Sequence, residues 1–475
     1  MVSSATARTG TARAASPVVL VIVLLLAISA FQVAAMMITP ALPSIGRRLD
    51  ASPTQISLEQ SLFFAIGGLT AAALPLSDRF GRHRMLAAVL ALGVAGSVLV
   101  AVSSSLLLFD IGRWMQATGV IALPLSYLIL RDHVPADRYP LYFGWLNALN
   151  TGITGFDGFI AGRMTDTVGY QGIFWIAAAV GAVALVCVLV AVPATAGVTG
   201  RTDWTGIATL GAGVVAISTG LAQSGEWGWT GTGTLVLLGA GLALVAAFVL
   251  VERASAHPLV RVTHLANRRV WGLALIVLVG MAGFMGATAL LMPYWAQLPK
   301  AAGGFGLSAT DYSLAILPGT FLAMCLAPAT GVVARRVGWR PVLVAGTAAA
   351  GAGLVALTLT VHATVPAFVF AALVMCVFAG ATMTAASGLG VLFSPAESPA
   401  FLPGIVSVMF SFGSSLGFAV GGSALARDTV EVPGAPPIPT EHAFTTTFAL
   451  MAGLVVVTAV LTALVPRVRT AASPA

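Results

Sequence analysis

The sequence predicts an all-α membrane protein of 14 transmembrane helices: two six-helix bundles related as pseudo-repeats, with two further helices inserted between them. Three observations predict it. The chain is 58% hydrophobic and only 8% charged, where a soluble protein carries about a quarter charged residues. Apolar runs of about 20 residues recur along its length, each long enough to cross a bilayer as a helix. Barrel strands would be shorter and would alternate apolar with polar, which these runs do not. Finally, two stretches near the start of the chain recur near its end.

The predicted spans cover about 17–38, 57–77, 85–104, 106–130, 141–162, 172–192, 204–223, 231–251, 270–296, 310–332, 341–361, 366–391, 400–425 and 443–465. Residues 1–16 are rich in Ser, Ala, Thr and Arg and are expected to be a disordered cytoplasmic terminus. The apolar run from Pro17 is too long for a signal-peptide core, so it reads as the first span. The first bundle then occupies 17–192 and the inserted pair 204–251. A basic amphipathic stretch, 252–269, is expected to lie on the membrane surface. The second bundle follows over 270–465, with a cytoplasmic tail at 466–475. Trp227 and Trp229, between the inserted helices, suit interfacial anchoring.

An even number of spans puts both termini on one side. With the N-terminus inside, 17 of the 23 basic residues fall in cytoplasmic segments and five outside, with Arg113 inside a span. The positive-inside rule therefore predicts cytoplasmic termini. The same distribution accounts for the net charge of +7, so a nucleic-acid partner is not implied. Cys187, Cys325 and Cys376 sit in apolar spans without metal or redox spacing. His257 and His264 lie in the basic stretch and read as surface residues. No cofactor or metal site is expected. A P-loop is absent, which argues against ATP drive.

The loop LPLSDRFGRHRML (74–86) recurs as GVVARRVGWRPVL (331–343), with Gly81 matching Gly338. GWLNALNTGITGFDGFIAG (144–162) aligns with GIVSVMFSFGSSLGFAVGG (404–422) at nearly the same offset. The repeat is six spans in parallel topology, an architecture of transporters whose site lies near mid-membrane between the halves.

On these residues the sequence resembles the major facilitator superfamily, in its fourteen-span drug:proton antiporter branch. LSDRFGRHRML is similar to the superfamily's loop signature between helices 2 and 3. RWMQATG (113–119) is similar to a proton-linked Arg motif, and the glycine-rich fifth span to a motif that marks exporters. Departures accompany the likeness. Asp157-Gly158 stands where exporters usually have Gly-Pro, and Ala34 stands where the branch often has an aspartate in the first span. The resemblance implies proton-coupled, alternating-access export of lipophilic drugs or antibiotics, from the plasma membrane and as a monomer. Facilitated transport or import of a small metabolite is the alternative.

Charge inside hydrocarbon needs a partner or a task. Four such residues are candidates for proton coupling: Asp157, Arg113, Asp110 and Glu59. Arg113 lies about 10 Å into the fourth span and Asp157 about 9 Å into the fifth, measured from the same membrane face. Equal depth predicts that the two pair, either as a static lock between helices or as a titrating unit. Asp110, one turn from Arg113, is a rim residue or an Arg partner; Glu59 is expected in an outer vestibule. In the loop signature Asp78, Arg79, Gly81, Arg82 and Arg84 form a tight turn. Asp78 is expected to clamp a neighbouring helix N-terminus or an Arg such as Arg131. Gly152, Gly155, Gly158 and Gly162, and in the second half Gly413, Gly417, Gly421 and Gly422, form smooth stripes for close helix approach. Gln116, Tyr127, Asn147, Asn150, Phe64 and Tyr294 are candidate lining residues of a substrate cavity, with Phe63, Trp145, Phe284, Met285 and Met409 as further candidates.

Overall fold

The computed structural model describes residues 16–135, 137–139, 141–146, 156–193, 203–255, 268–360, 364–393, 401–432 and 435–464. Helix starts follow local capping chemistry. Ser16 opens α1 (Pro17–Met36), which continues through a 3₁₀ turn into α2 (Leu42–Arg48). Ser52 and Gln55 close a reciprocal capping box at the start of α3 (Pro53–Ala72), the hydroxyl accepting from Gln55 N and the Gln55 amide oxygen from Ser52 N. A short α4 (Leu76–Phe80) leads into α5 (Arg82–Val102) through Gly81, whose φ of 90° an L side chain rarely adopts. Gly338 repeats that conformation at φ 89° between the matching helices of the second half. The internal repeat is thus written into the backbone.

Ser105 caps α6 (Leu106–Ala117), which runs through a 3₁₀ turn into α7 (Ala122–His133). α8 (Asp157–Thr167) and α9 (Gln171–Ala191) complete the first half. Asp203 caps the first inserted helix, α10 (Trp204–Trp227), and α11 (Thr232–Ala254) pairs with it. The second half begins with α12 (Arg268–Met285), a π-helical segment (Gly286–Leu291) and α13 (Met292–Gln297). α14 (Ala309–Val337) is capped by Ser308 and carries Pro318 and Pro328 in its interior. α15 (Trp339–Thr360) and α16 (Val365–Val377) follow, and a second π-helical segment (Phe378–Thr382) leads into α17 (Met383–Phe393). α18 (Phe401–Leu425), a small antiparallel hairpin of β1 (Thr429–Val432) and β2 (Ala435–Pro439), and α19 (Glu441–Leu464) close the chain.

Among the described residues 12 helices are long and apolar enough to span a membrane. The chain is a multi-pass membrane protein. The difference from the 14 expected has two sources. α3 is 20 residues long, but its first turns carry Gln55, Ser57, Glu59, Gln60 and Ser61 and dilute its hydropathy. Residues 147–155 of the expected fifth span fall outside the described residues, Gly152 and Gly155 among them. The expected amphipathic stretch at 252–269 is also largely outside them.

The halves meet along two seams, α3 against α18 and α8 against α14. α10 lies over the first seam: Ser218 and Ser61 both hydrogen-bond Ser415, at 2.8 and 3.1 Å. α11 packs chiefly on α10, with only 17% of its apolar window covered. The inserted pair is therefore peripheral. In the second half the glycine stripe behaves as expected, since a Cβ on Gly417 would press into the backbone of Ala282 in α12. In the first half Gly162 does the same against α14, whereas none of the described residues stands within 4 Å of a Cβ on Gly158.

Candidate transport site

Besides Ser61–Ser415, hydrogen bonds between the halves among the described residues include a group at the end of the bundle that carries Arg47. Gln297 Nε2 donates to the Pro40 carbonyl at 2.9 Å, and Tyr294 Oη reaches the Leu42 carbonyl at 3.5 Å. Asp166, at the close of α8, accepts from Thr310 N at 2.7 Å and Ala309 N at 3.3 Å. It thereby seats a carboxylate on the positive N-terminus of α14. Burial pushes the Asp166 carboxyl up, but the Thr310, Ser308 and Ala309 donors outweigh it and hold the group below its ordinary value.

Below that closure lies a cavity of about 640 Å³ between the halves. The first half contributes Phe31, Gln32, Phe64 and Asp157; the second contributes Phe284, Thr288, Ser313, Thr320, Ser387 and Phe410. Five methionines line it as well: Met36, Met285, Met292, Met375 and Met383. The two π-helical segments help to aim these groups: Thr288 lies within the first, and Cys376 and Met383 flank the second. The lining extends from Pro40 near the Arg47 end to Ala71 and Leu123 toward the Gly81 end.

Of the expected cavity residues, Phe64, Phe284 and Met285 line the space. Asn147 and Asn150 lie outside the described residues. Gln116 is sealed in a separate network, Tyr127 packs on Phe143 with ring centroids 4.7 Å apart, and Tyr294 belongs to the closure. Gln32, Thr288, Ser313, Thr320 and Ser387 were missed. Single polar residues in apolar helices are ordinary packing elements, and only their azimuth marks them as lining.

Asp157 faces this cavity and does not pair with Arg113. Its Oδ1 accepts from Gly158 N at 2.6 Å, and no cation within ion-pair distance of it is found among the described residues. Arg113 instead turns into the first half, where Glu59 Oε1 accepts from its Nε at 3.2 Å; both side chains are fully buried. The reason is azimuth: equal depth does not set which way a side chain points around its helix, and Arg113 points to α1 and α3. Its Nη1 donates to the Ala34 carbonyl at 2.6 Å and to Gln116 Oε1 at 2.9 Å. The guanidinium lies 4.0 Å from the Phe63 ring centroid, and Phe63 stacks on the cavity residue Phe31. Glu59 Oε2 accepts from Gln60, and Gln116 Nε2 donates to Ser97. Glu59 is thus no vestibule residue. From α3 it pairs with Arg113, which also engages the backbone oxygen of Ala34. Asp110 sits beside this pair with Oδ1 lacking a hydrogen-bond partner among the described residues, as does Arg113 Nη2.

At the Gly81 end, Asp78 accepts from Arg82 Nη2 at 2.8 Å and from Nε at 3.2 Å. The same guanidinium donates to Asp132 and, at 3.4 Å, to the Leu128 carbonyl. The partner that α7 supplies is therefore Asp132 and not Arg131, which is exposed. An Arg already sits in the turn, so a carboxylate one position further on completes the charge pairing. Arg79 lies over Phe80, and Arg84 is exposed.

Two helical halves enclosing a cavity, closed by contacts at one end, define a membrane transporter. Residues 24–298 match the family model of the Major Facilitator Superfamily, and the chain belongs to that family. It is 31% identical over 421 residues to the uridine/deoxyuridine transporter of Lactococcus lactis, covering 85% of this chain and 86% of the relative. It is 26% identical over 399 residues to the multidrug resistance protein Stp of Mycobacterium tuberculosis, covering 82% of this chain and 73% of the relative. The crystal structure of the nucleoside transporter NupG superposes with a TM-score of 0.64 at 13% identity, covering 95% of this chain and all of that one, a likeness of fold.

Proposed function

We infer that this chain is a proton-coupled secondary transporter of a nucleoside-class solute, working by alternating access. The observation that carries the reading is the composition of the central cavity. Aromatic faces at Phe31, Phe64, Phe284 and Phe410 suit a planar base, while Ser, Thr and Gln side chains with one carboxylate suit a polyhydroxylated sugar. The cavity volume falls in the range of about 300–1,000 Å³ common to small-molecule sites. The uridine/deoxyuridine transporter, aligned over most of both chains, supports the same class.

Asp157 is the proton site in this reading. It stands in the cavity without a cationic partner among the described residues, where alternating access exposes it to each side in turn. The Glu59–Arg113 pair braces α1, α3 and α6 around it. The expected fourteen spans include α3 and the fifth span, with the two bundles and inserted pair as read from the sequence. Both termini are cytoplasmic, the Gly81 end faces the cytoplasm, and the protein acts as a monomer in the plasma membrane. The structure then corresponds to an inward-facing state, with the outer end closed by Gln297, Tyr294 and Asp166.

A second reading, export of lipophilic drugs or antibiotics, is favoured by the five cavity methionines, whose flexible thioethers adapt to bulky ligands. The likeness to Stp supports it. Purified protein in liposomes separates the two. Under an imposed pH gradient, labelled uridine is expected to accumulate and a lipophilic dye is not. Asp157→Asn is expected to abolish gradient-driven accumulation while sparing uridine exchange. Dye movement without uridine movement would replace the first reading by the second, and a fully coupled Asp157→Asn would remove Asp157 from the proton path.

A further inference from the structure

The polar groups around the cavity differ in what they still offer a solute. Thr288 and Thr320 donate to carbonyls of their own helices, Phe284 O at 2.7 Å and Ile316 O at 3.4 Å. Ser313 is packed on Gly162, and Ser411 is 1% exposed. Asp157 Oδ1 accepts from Gly158 N. Gln32 of α1 is different. It is half-buried on the cavity wall, and its carboxamide has no hydrogen-bond partner among the described residues. It is also the only carboxamide in the lining among those residues. A carboxamide sets an acceptor beside a donor group, so it can take and give at neighbouring atoms of one ligand. Such a group, unpaired on the wall of a solute cavity, is free for the solute. Its place is well inside: Pro40, eight residues on, accepts from Gln297 at the closed end, about 12 Å away along the helix.

An aromatic wall adjoins it and is braced from behind. Phe31, the preceding residue of α1, is half-buried on the same cavity and stacks on Phe63, with ring centroids 6.3 Å and planes 6° apart. Phe63 meets Phe64 edge-on at 5.4 Å, and Phe64 stacks on Phe418 at 5.8 Å. Phe63 and Phe418 are each 1% exposed, and the Arg113 guanidinium lies over Phe63. Rings held in this way lose little freedom when a planar base lodges against them. A base against Phe31 can turn its edge to Gln32, the next residue. Uracil presents there an N3–H donor beside the O4 acceptor. Cytosine presents the reverse order, an N3 acceptor beside an N4 amino donor. A carboxamide matches either order by turning its plane half a revolution, in the bidentate manner by which glutamine reads adenine. Nothing among the described residues fixes the Gln32 amide in one sense. Asp157 cannot replace it, because a carboxylate accepts from N3–H but has no donor for O4.

We propose that Gln32 reads the pairing edge of a pyrimidine base lodged against Phe31, and accepts uracil and cytosine alike. This rests on the nucleoside reading above. The test is competition against labelled uridine on the purified full-length protein in liposomes, with uridine, cytidine, N3-methyluridine and 2′-deoxyuridine as competitors. Wild type is expected to bind cytidine within about threefold of uridine, and N3-methyluridine, whose edge is blocked, roughly tenfold more weakly. Gln32→Met keeps the length of the side chain and removes its hydrogen-bonding amide. It should weaken uridine and cytidine roughly tenfold and change N3-methyluridine by less than about twofold. Gln32→Asn keeps the carboxamide but draws it back by one methylene, and should lose part of the preference. The ratio of 2′-deoxyuridine to uridine affinity should stay constant in both variants, because the sugar contacts are untouched. A preference for uridine over N3-methyluridine that is unchanged in either variant overturns the assignment and leaves the nucleoside reading in place. Rejection of cytidine by wild type also overturns it, as does a shifted deoxyuridine ratio, which reports a general change of cavity shape. If wild type neither binds nor transports uridine, the nucleoside reading falls and the role of Gln32 with it.

Discussion

Replacing Asp166 by Asn tests how the Arg47 end, the outer end in the orientation proposed above, stays shut. The substitution removes one charge from the N-terminus of α14 and leaves one amide oxygen for two backbone donors now held at 2.7 and 3.3 Å. A carboxylate at a helix N-terminus is worth about 0.3–1 kcal/mol where exposed. Asp166 is exposed, but the substitution also weakens its hydrogen bonds to two backbone donors, so the shift should be near the top of that range, about 1 kcal/mol. That is about a fivefold change in the balance between inward-facing and outward-facing states. Thr39 lies in the cavity lining just beneath the closure. In a background lacking Cys187, Cys325 and Cys376, Thr39→Cys reports opening by its alkylation rate with an impermeant reagent added outside. Asp166→Asn should raise that rate about fivefold, and Asp166→Ala somewhat more. The sign of the pH dependence follows from the lowered carboxyl. Its contribution is complete above the ordinary aspartate value of about 4 and fades only as pH falls through the still lower folded value. The effect should accordingly be the same at any pH between about 5 and 8. An unchanged or slower alkylation rate, or an effect that vanishes near neutral pH, would refute the assignment of Asp166 as a latch.

Three further outcomes are expected. Glu59→Gln or Arg113→Met alone strands a buried charge and should cost about 3–5 kcal/mol in thermal or denaturant unfolding, whereas the double variant should recover much of it. Gly162→Ala places a Cβ 2.5 Å from the Ala309 carbonyl oxygen. It should splay the outer end, raise Thr39→Cys alkylation and depress transport without loss of expression. Asp132→Asn removes one of the two carboxylates on Arg82 at a solvent-exposed site. It should change stability by less than about 1 kcal/mol, so any large transport defect must come from the conformational balance, read by the same alkylation assay.

Much of this was legible from residues alone. Hydropathy located the helices, because a backbone in hydrocarbon must satisfy its own hydrogen bonds and long apolar runs have little alternative. The loop repeat located Gly81 and Gly338, whose matching left-handed φ values only a residue without a side chain adopts freely. The depths of Glu59, Arg113 and Asp157 could be counted along each span. α3, expected as a span, is a 20-residue helix whose polar start keeps it outside the twelve long apolar helices.

What the sequence by itself determined was therefore position along each helix axis: which runs are apolar enough to span and where the charged residues fall within them. Only the tertiary structure decided azimuth and partner. Rotation about a helix axis is set by how ridges and small residues of neighbouring helices interlock, which no single helix encodes. That is why Arg113 meets Glu59 and the Ala34 carbonyl while Asp157, expected at the same depth, turns to the cavity. It is also why Arg82 bridges to Asp132, one residue from the expected Arg131. Ser313 shows the limit most clearly, since an ordinary helix serine in the sequence becomes a buried hydroxyl packed on Gly162 only when α8 and α14 are brought together.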